Sequence, residues 1–222
     1  MINHQFNGEV KIPVNDIQLT GNLSIPDPSK GIIVFAHGSG SSRHSPRNRF
    51  VAEELQNAGF STLLFDLLTV EEDRDYNNRF NIDLLTERLV LVTDWLQQQP
   101  ETADKSIGYF GASTGAAATL RAAAQLGDLI FAVVSRGGRP DLAEPNLLEV
   151  RTPTLLIVGG FDRQVIELNE KAFAVLRVKK ELRIVPGATH LFEEPGTLKE
   201  VATLAIDWFD RHLIALGTKG GR

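Results

Sequence analysis

Hydrophobic and polar positions change period several times along the chain, and each change marks a new element. In residues 9–12 and 17–25, apolar and polar side chains alternate with the period of two of a half-buried strand. Asn15-Asp16 between them supplies a turn, so these stretches predict an antiparallel pair. Residues 32–36, Ile-Ile-Val-Phe-Ala, are continuously apolar, as in a strand covered on both faces. The period becomes helical over 47–59, where Phe50, Val51, Leu55 and Ala58 share a face and Gly59 ends the run. Residues 60–68 predict another buried strand, and the acidic stretch 71–79 an exposed loop. Leu85, Leu89, Val92 and Leu96 define a helix over 82–99, closed by Pro100. Further strands are predicted over 107–110, 131–135, 153–158 and 182–185. Further helices follow Gly115 and cover 165–178 and 198–216, leaving 217–222 as a flexible tail.

Strands alternating with helices predict an α/β fold with a mostly parallel central sheet flanked by helices. Functional groups in such sheets gather beyond the carboxyl ends of the strands. His37-Gly38, Ser113, Asp162 and His190 all fall at such ends. Gly111-Ala112-Ser113-Thr114-Gly115 matches G-x-S-x-G between an apolar strand and an Ala-rich helix, the context of a nucleophile elbow. The sharp turn projects the serine hydroxyl, and the two glycines let strand and helix backbones pass closely. The order Ser113, Asp162, His190 is the chain order of an α/β-hydrolase triad. His190 is expected to take the serine proton and Asp162 to fix the imidazole tautomer, with Asp66 as a rival orienter. The N–H groups of Thr114 and Ser39 are the expected oxyanion donors.

Composition narrows the field. With 222 residues, 42% hydrophobic and 23% charged, the chain predicts one globular domain over 1–222. A net charge of −5 argues against nucleic acid as a partner. No apolar run is long enough to span a membrane, and the N-terminus lacks a signal-peptide pattern, so a cytoplasmic location is expected. There is no cysteine, which removes disulfides, thiolate metal sites and a thiol nucleophile.

On the motifs His37-Gly38-Ser39-Gly40-Ser41-Ser42, Gly111 to Gly115, Gly159-Gly160-Phe161-Asp162 and Gly187-Ala188-Thr189-His190, the chain resembles α/β-hydrolases of the dienelactone-hydrolase-like group from about Val10 to Leu213. Some bacterial members are similar to domains joined to phosphoribosyltransferases, and no such second domain fits in this length. The resemblance departs at the nucleophile, which is a cysteine in true dienelactone hydrolases and Ser113 here. With only about 18 residues between the strands at 131–135 and 153–158, no large cap domain is expected and the pocket should be shallow.

The expected function is a serine hydrolase of a small soluble carboxylic ester, lactone or thioester, working through an acyl-enzyme on Ser113 without metal or organic cofactor. Acyl transfer or peptide hydrolysis by the same triad, or a non-enzymatic binding module on the same fold, are the alternatives. His37, Gly38 and Gly40 are expected to line the substrate, His37 chiefly by holding its loop. Basic residues crowd the same side, Arg43, His44, Arg47 and Arg49 in one group and Arg136 and Arg139 in another. Arg43 and Arg136 are the expected contacts for an anionic substrate group.

Overall fold

The computed structural model describes residues 3–144 and 146–219. The alternating stretches at the start pair as expected: β1 (His4–Val14) and β2 (Ile17–Pro26) form an antiparallel ribbon. Asn15 turns it with φ of 50°, a left-handed conformation that asparagine tolerates better than most residues. The continuous apolar runs become β3 (Ile32–Ala36), β4 (Ser61–Phe65), β5 (Ile107–Ala112), β6 (Ile130–Arg136) and β7 (Thr154–Gly159), buried at every position. β8 (Lys180–Val185) closes the far edge and is half-exposed. All eight strands lie in one sheet of order β1-β2-β4-β3-β5-β6-β7-β8. β2 pairs antiparallel with β4, and every pair from β4 to β8 is parallel.

Helices cover both faces. α1 (Pro46–Asn57) starts where Ser45 accepts from the Asn48 N–H and Pro46 occupies the first turn, both favourable helix openings. α2 (Ile82–Gln98) is capped by the Asn81 side chain on the Leu84 N–H, at 3.1 Å. α1 and α5 (Thr197–Lys219) pack with Phe35, Phe110, Trp208 and Phe209 on one face of the sheet. α2, α3 (Thr114–Leu126) and α4 (Arg163–Val175) cover the other, where the small side chains of α3 let it lie close to the strands. Burying each large apolar side chain contributes roughly 1.5–3 kcal/mol, so these two layers carry most of the stability.

Several bounds differ from expectation; α4, for one, ends at Val175 rather than 178. β4 ends at Phe65 rather than 68, because its partner β3 runs out at the Phe35–Leu64 pair and the Leu67 N–H turns to the His37 ring. The acidic loop holds two short 3₁₀ turns, Glu72–Arg74 and Tyr76–Phe80, which its own arginines stabilise. α5 continues to Lys219, beyond the start of the expected tail, and 220–222 lie outside the described residues. Among the described residues, no helix is long and apolar enough to cross a membrane.

Candidate active site

Every parallel strand ends on the same edge of the sheet, so the loops after β3, β5, β6, β7 and β8 meet there. Ser113 joins β5 to α3 with φ 51° and ψ −120°. A non-glycine residue in this region carries about 1–3 kcal/mol of strain, which the surroundings must hold. They do so through the backbone: the Ser113 N–H donates to Arg136 O at 3.2 Å, and its carbonyl accepts from the N–H groups of Ala116 and Arg139, each at 3.1 Å. The flanking glycines are obligatory. A Cβ on Gly115 would stand 2.2 Å from Ala36 O, and one on Gly111 would stand 2.5 Å from Ala116 Cα. Gly38 crosses the serine so closely that a Cβ there would lie 3.0 Å from Ser113 Cβ.

The histidine and its orienter come from neighbouring loops. Asp162 ends the turn after β7, and its carboxylate accepts from His190 Nδ1 at 2.6 Å. This bond leaves the proton on Nδ1 and Nε2 as the acceptor nitrogen of the ring. The two loops are bolted together, with Phe161 N–H on Ala188 O and Gly160 N–H on Val185 O, both at 2.9 Å. Gly159 permits this, since a Cβ there would meet Ala188 O and Thr189 O at 2.5 Å. Gly137 packs against the imidazole, 3.4 Å from its Cε1 at the nearest ring contact of a built Cβ. No hydrogen bond between Ser113 and His190 is closed among the described residues; such contacts commonly tighten only when substrate binds. Asp66, the rival orienter, instead accepts from the Arg43 backbone N–H at 2.8 Å and pairs with the Arg43 guanidinium.

The loop after β3 is built differently from expectation. The Ser39 N–H donates to Thr114 Oγ1 at 2.9 Å, so it is shared with a side chain rather than free. Thr114 N–H lies in the first turn of α3, where helical N–H groups have no intrahelical acceptor and the helix dipole favours negative charge. His37 is a splint: Nδ1–H donates to Gly38 O at 2.9 Å and Nε2 accepts the Leu67 N–H at 3.1 Å. Both nitrogens are used, and burial pushes its pKa below 6.5. His37 thus braces the loop through both ring nitrogens, as expected of a residue that holds it. Gly40, with φ of 69°, turns the loop beyond Ser39.

The expected arginine contacts require correction. Arg43 is spent on Asp66, Glu9 and Asn22, at the β1–β2 side of the sheet. Arg136 is 6% exposed, donates from Nη2 to Asn48 at 3.2 Å and lies over the Phe192 ring, inside the wall rather than in an open cleft. Burial lowers its pKa to about 10, with nearby Arg47 adding to the effect. Arg47 and Arg139 pair with Glu193 and Asp141. Two residues escaped the sequence reading. Arg79, clamped on Asp73, brings Nη1 to 3.9 Å from the position a Gly40 Cβ would take. Asn169, fully buried on α4, donates to Gly138 O at 3.0 Å and steadies the turn after β6. Neither lies in a motif. Phe161 and Leu191, next in sequence to Asp162 and His190, are exposed.

The profile of the dienelactone hydrolase family matches residues 19–216. The chain belongs to the dienelactone hydrolase family. A dienelactone hydrolase from Anabaena variabilis, known from its crystal structure, is 55% identical with a TM-score of 0.92, covering 95% of this chain and 99% of that one. Est1E from Butyrivibrio proteoclasticus, at 18% identity and a TM-score of 0.79 over 94% of this chain and 99% of its own, shares the fold. Two Mycobacterium tuberculosis proteins provisionally named phosphoribosyl transferases are 59% identical over 212 residues, 96% of this chain and 48% of theirs. The chain thus spans about half the length of the curated relatives it matches. Membership of the dienelactone hydrolase family brings with it the α/β-hydrolase fold seen here.

Proposed function

We propose that this chain is a serine hydrolase that cleaves a small soluble carboxylic ester, lactone or thioester. The observation that carries the reading is the Asp162–His190 bond of 2.6 Å, held on loops that adjoin a serine in a strained elbow. In the first step Ser113 Oγ attacks the carbonyl carbon while His190 Nε2 takes the hydroxyl proton. The carbonyl oxygen becomes an oxyanion, stabilised by the Thr114 N–H and by the Ser39 N–H as it releases Thr114 Oγ1. Asp162 stabilises the imidazolium. Collapse of the adduct expels the alkoxide or thiolate, which receives the proton from His190 and leaves an acyl-enzyme. Water, deprotonated by His190, attacks that ester, and the acid departs as the proton returns to Ser113.

The transferase name of the M. tuberculosis relatives covers chains about twice this length. The proposal rests on residues within the present chain, whose set serves acyl chemistry. Labelling with a fluorophosphonate probe tests it. The wild type is expected to be labelled on Ser113 and to hydrolyse short acyl esters. Ser113→Ala is expected to lose both while keeping its circular dichroism spectrum, and retained turnover in that variant would overturn the assignment.

A further inference from the structure

A wide cleft lies away from Ser113. This cleft, of about 720 Å³, opens at the other edge of the sheet, under the starts of β6 and β7 and the end of α3. The seven residues of β6 separate the two edges, so the cleft lies about 20 Å from Ser113. Its floor is apolar: Ile130 and Phe131 are buried, and Leu148 stands exposed at the rim. Its walls are basic. Arg151, Arg177 and Lys179 line it, against the single carboxylate of Asp128. No ion pair among the described residues takes any of the three cations. In a chain of net charge −5, whose acidic loop is paired with its own arginines, this concentration of unpaired positive charge is local.

Arg151 lies exposed over the turn at Gly127. Gly127, with φ of 56°, lies directly under its guanidinium: a Cβ there would stand 2.2 Å from Nη2. The Thr152 hydroxyl donates to Gly127 O at 3.4 Å and ties the same turn to the strand entrance. An exposed, unpaired planar guanidinium at this wall suits bidentate contact with phosphate or carboxylate oxygens. The lining carries two positive charges in excess, which matches the charge of a phosphate monoester near neutrality, about −1.5 to −2. The apolar floor asks for an apolar body on the same ligand, and the volume falls within the usual range for small-molecule sites. We propose that this cleft binds a phosphate monoester carrying an apolar or aromatic group, with Arg151 and Arg177 on the phosphate and the apolar group against Phe131 and Leu148.

His212 supplies a reporter. It lines the cleft, and its Nδ1–H donates to Trp208 O at 2.8 Å. Burial first, and then Arg211 and Lys179, hold its pKa below 6.5. An anion docked beside Lys179 opposes the second effect and raises it. The experiment is calorimetry together with an imidazole NMR titration of His212, using phenyl phosphate at low ionic strength, with inorganic phosphate and benzyl alcohol as its two halves. Phenyl phosphate is expected to bind, to raise the His212 pKa, and to bind at least about tenfold more tightly than either half. Arg151→Ala with Arg177→Ala is expected to weaken binding by at least about tenfold while neutral-ester turnover at Ser113 stays unchanged. The proposal is overturned by an absence of binding at millimolar phenyl phosphate, by equal binding in the double variant, or by inorganic phosphate binding as tightly as phenyl phosphate. Self-association of the wild type that the double variant abolishes, without phenyl phosphate binding, assigns the cleft to a second copy instead.

Discussion

At the scale of single residues, chemistry here depends on which partner each polar group has taken. Asp162 and Asp66 both follow strands, yet one holds His190 and the other holds Arg43. Asp162→Asn keeps the shape but reverses the hydrogen-bond polarity toward the imidazole, so the wrong tautomer is stabilised. Steady-state kinetics on an activated ester should show kcat falling by about 10⁴-fold. Asp66→Asn should leave kcat within about tenfold, because the loss falls on the Arg43 contact. A larger loss at Asp66 than at Asp162 would exchange their roles. Arg79, paired with Asp73, brings a guanidinium nitrogen beside Gly40 in the loop after β3, whereas Arg43 faces β1 and β2 and Arg136 is buried on Asn48. Arg79→Ala should lower kcat/KM for an ester bearing a nearby carboxylate by about tenfold relative to a neutral ester of equal size, an effect that salt weakens. Equal losses for both esters would give Arg79 a purely structural role.

At the scale of elements, the site is a consequence of backbones that cross without side chains between them. α3 begins directly beneath the β3 exit because Gly115 faces Ala36 O and His37 O. Gly115→Ala puts a methyl group into that contact, and no rotamer relieves it. The expected result is loss of at least about 2 kcal/mol of stability in urea denaturation, with esterase activity falling as the elbow shifts. Wild-type stability in Gly115→Ala would mean that α3 can move away from β3 at little cost. The β7 and β8 loops obey the same logic: Gly159 admits the carbonyls of Ala188 and Thr189, and so brings Asp162 and His190 within reach of each other.

At the scale of the whole molecule, a sheet with apolar layers on both faces carries the Ser113 loops at one edge and a wide cleft at the other. One titratable group ties the stability of this arrangement to pH. The folded protein keeps His37 neutral, with a pKa lowered by burial from 6.5. Unfolding lets the ring take up a proton below that ordinary value. Its contribution to stability is therefore whole above pH 6.5 and drains away as pH falls toward the lowered folded value. Urea midpoints should fall with acidification in this window, and His37→Gln should flatten the slope; an unchanged slope would exclude His37 as its source. Much of this architecture was legible in the chain itself. The periods of two and 3.6, the buried runs and the glycine spacing around Ser113 are local properties, so they determined the strands, the helices, the parallel sheet and the order of the candidate triad. The pairing partners were not local. Arg43 meets Asp66 across 23 residues and Arg136 meets Asn48 across 88, while the Ser39 N–H reaches Thr114 Oγ1 across 75. Such contacts depend on rotamers and on how far each loop travels after its strand, and no pattern of polar and apolar positions encodes either. Tertiary packing alone decided which groups the two ring nitrogens of His37 engage, that Arg43 and Arg136 face partners other than an open cleft, and that a wide cleft lies at the edge opposite Ser113.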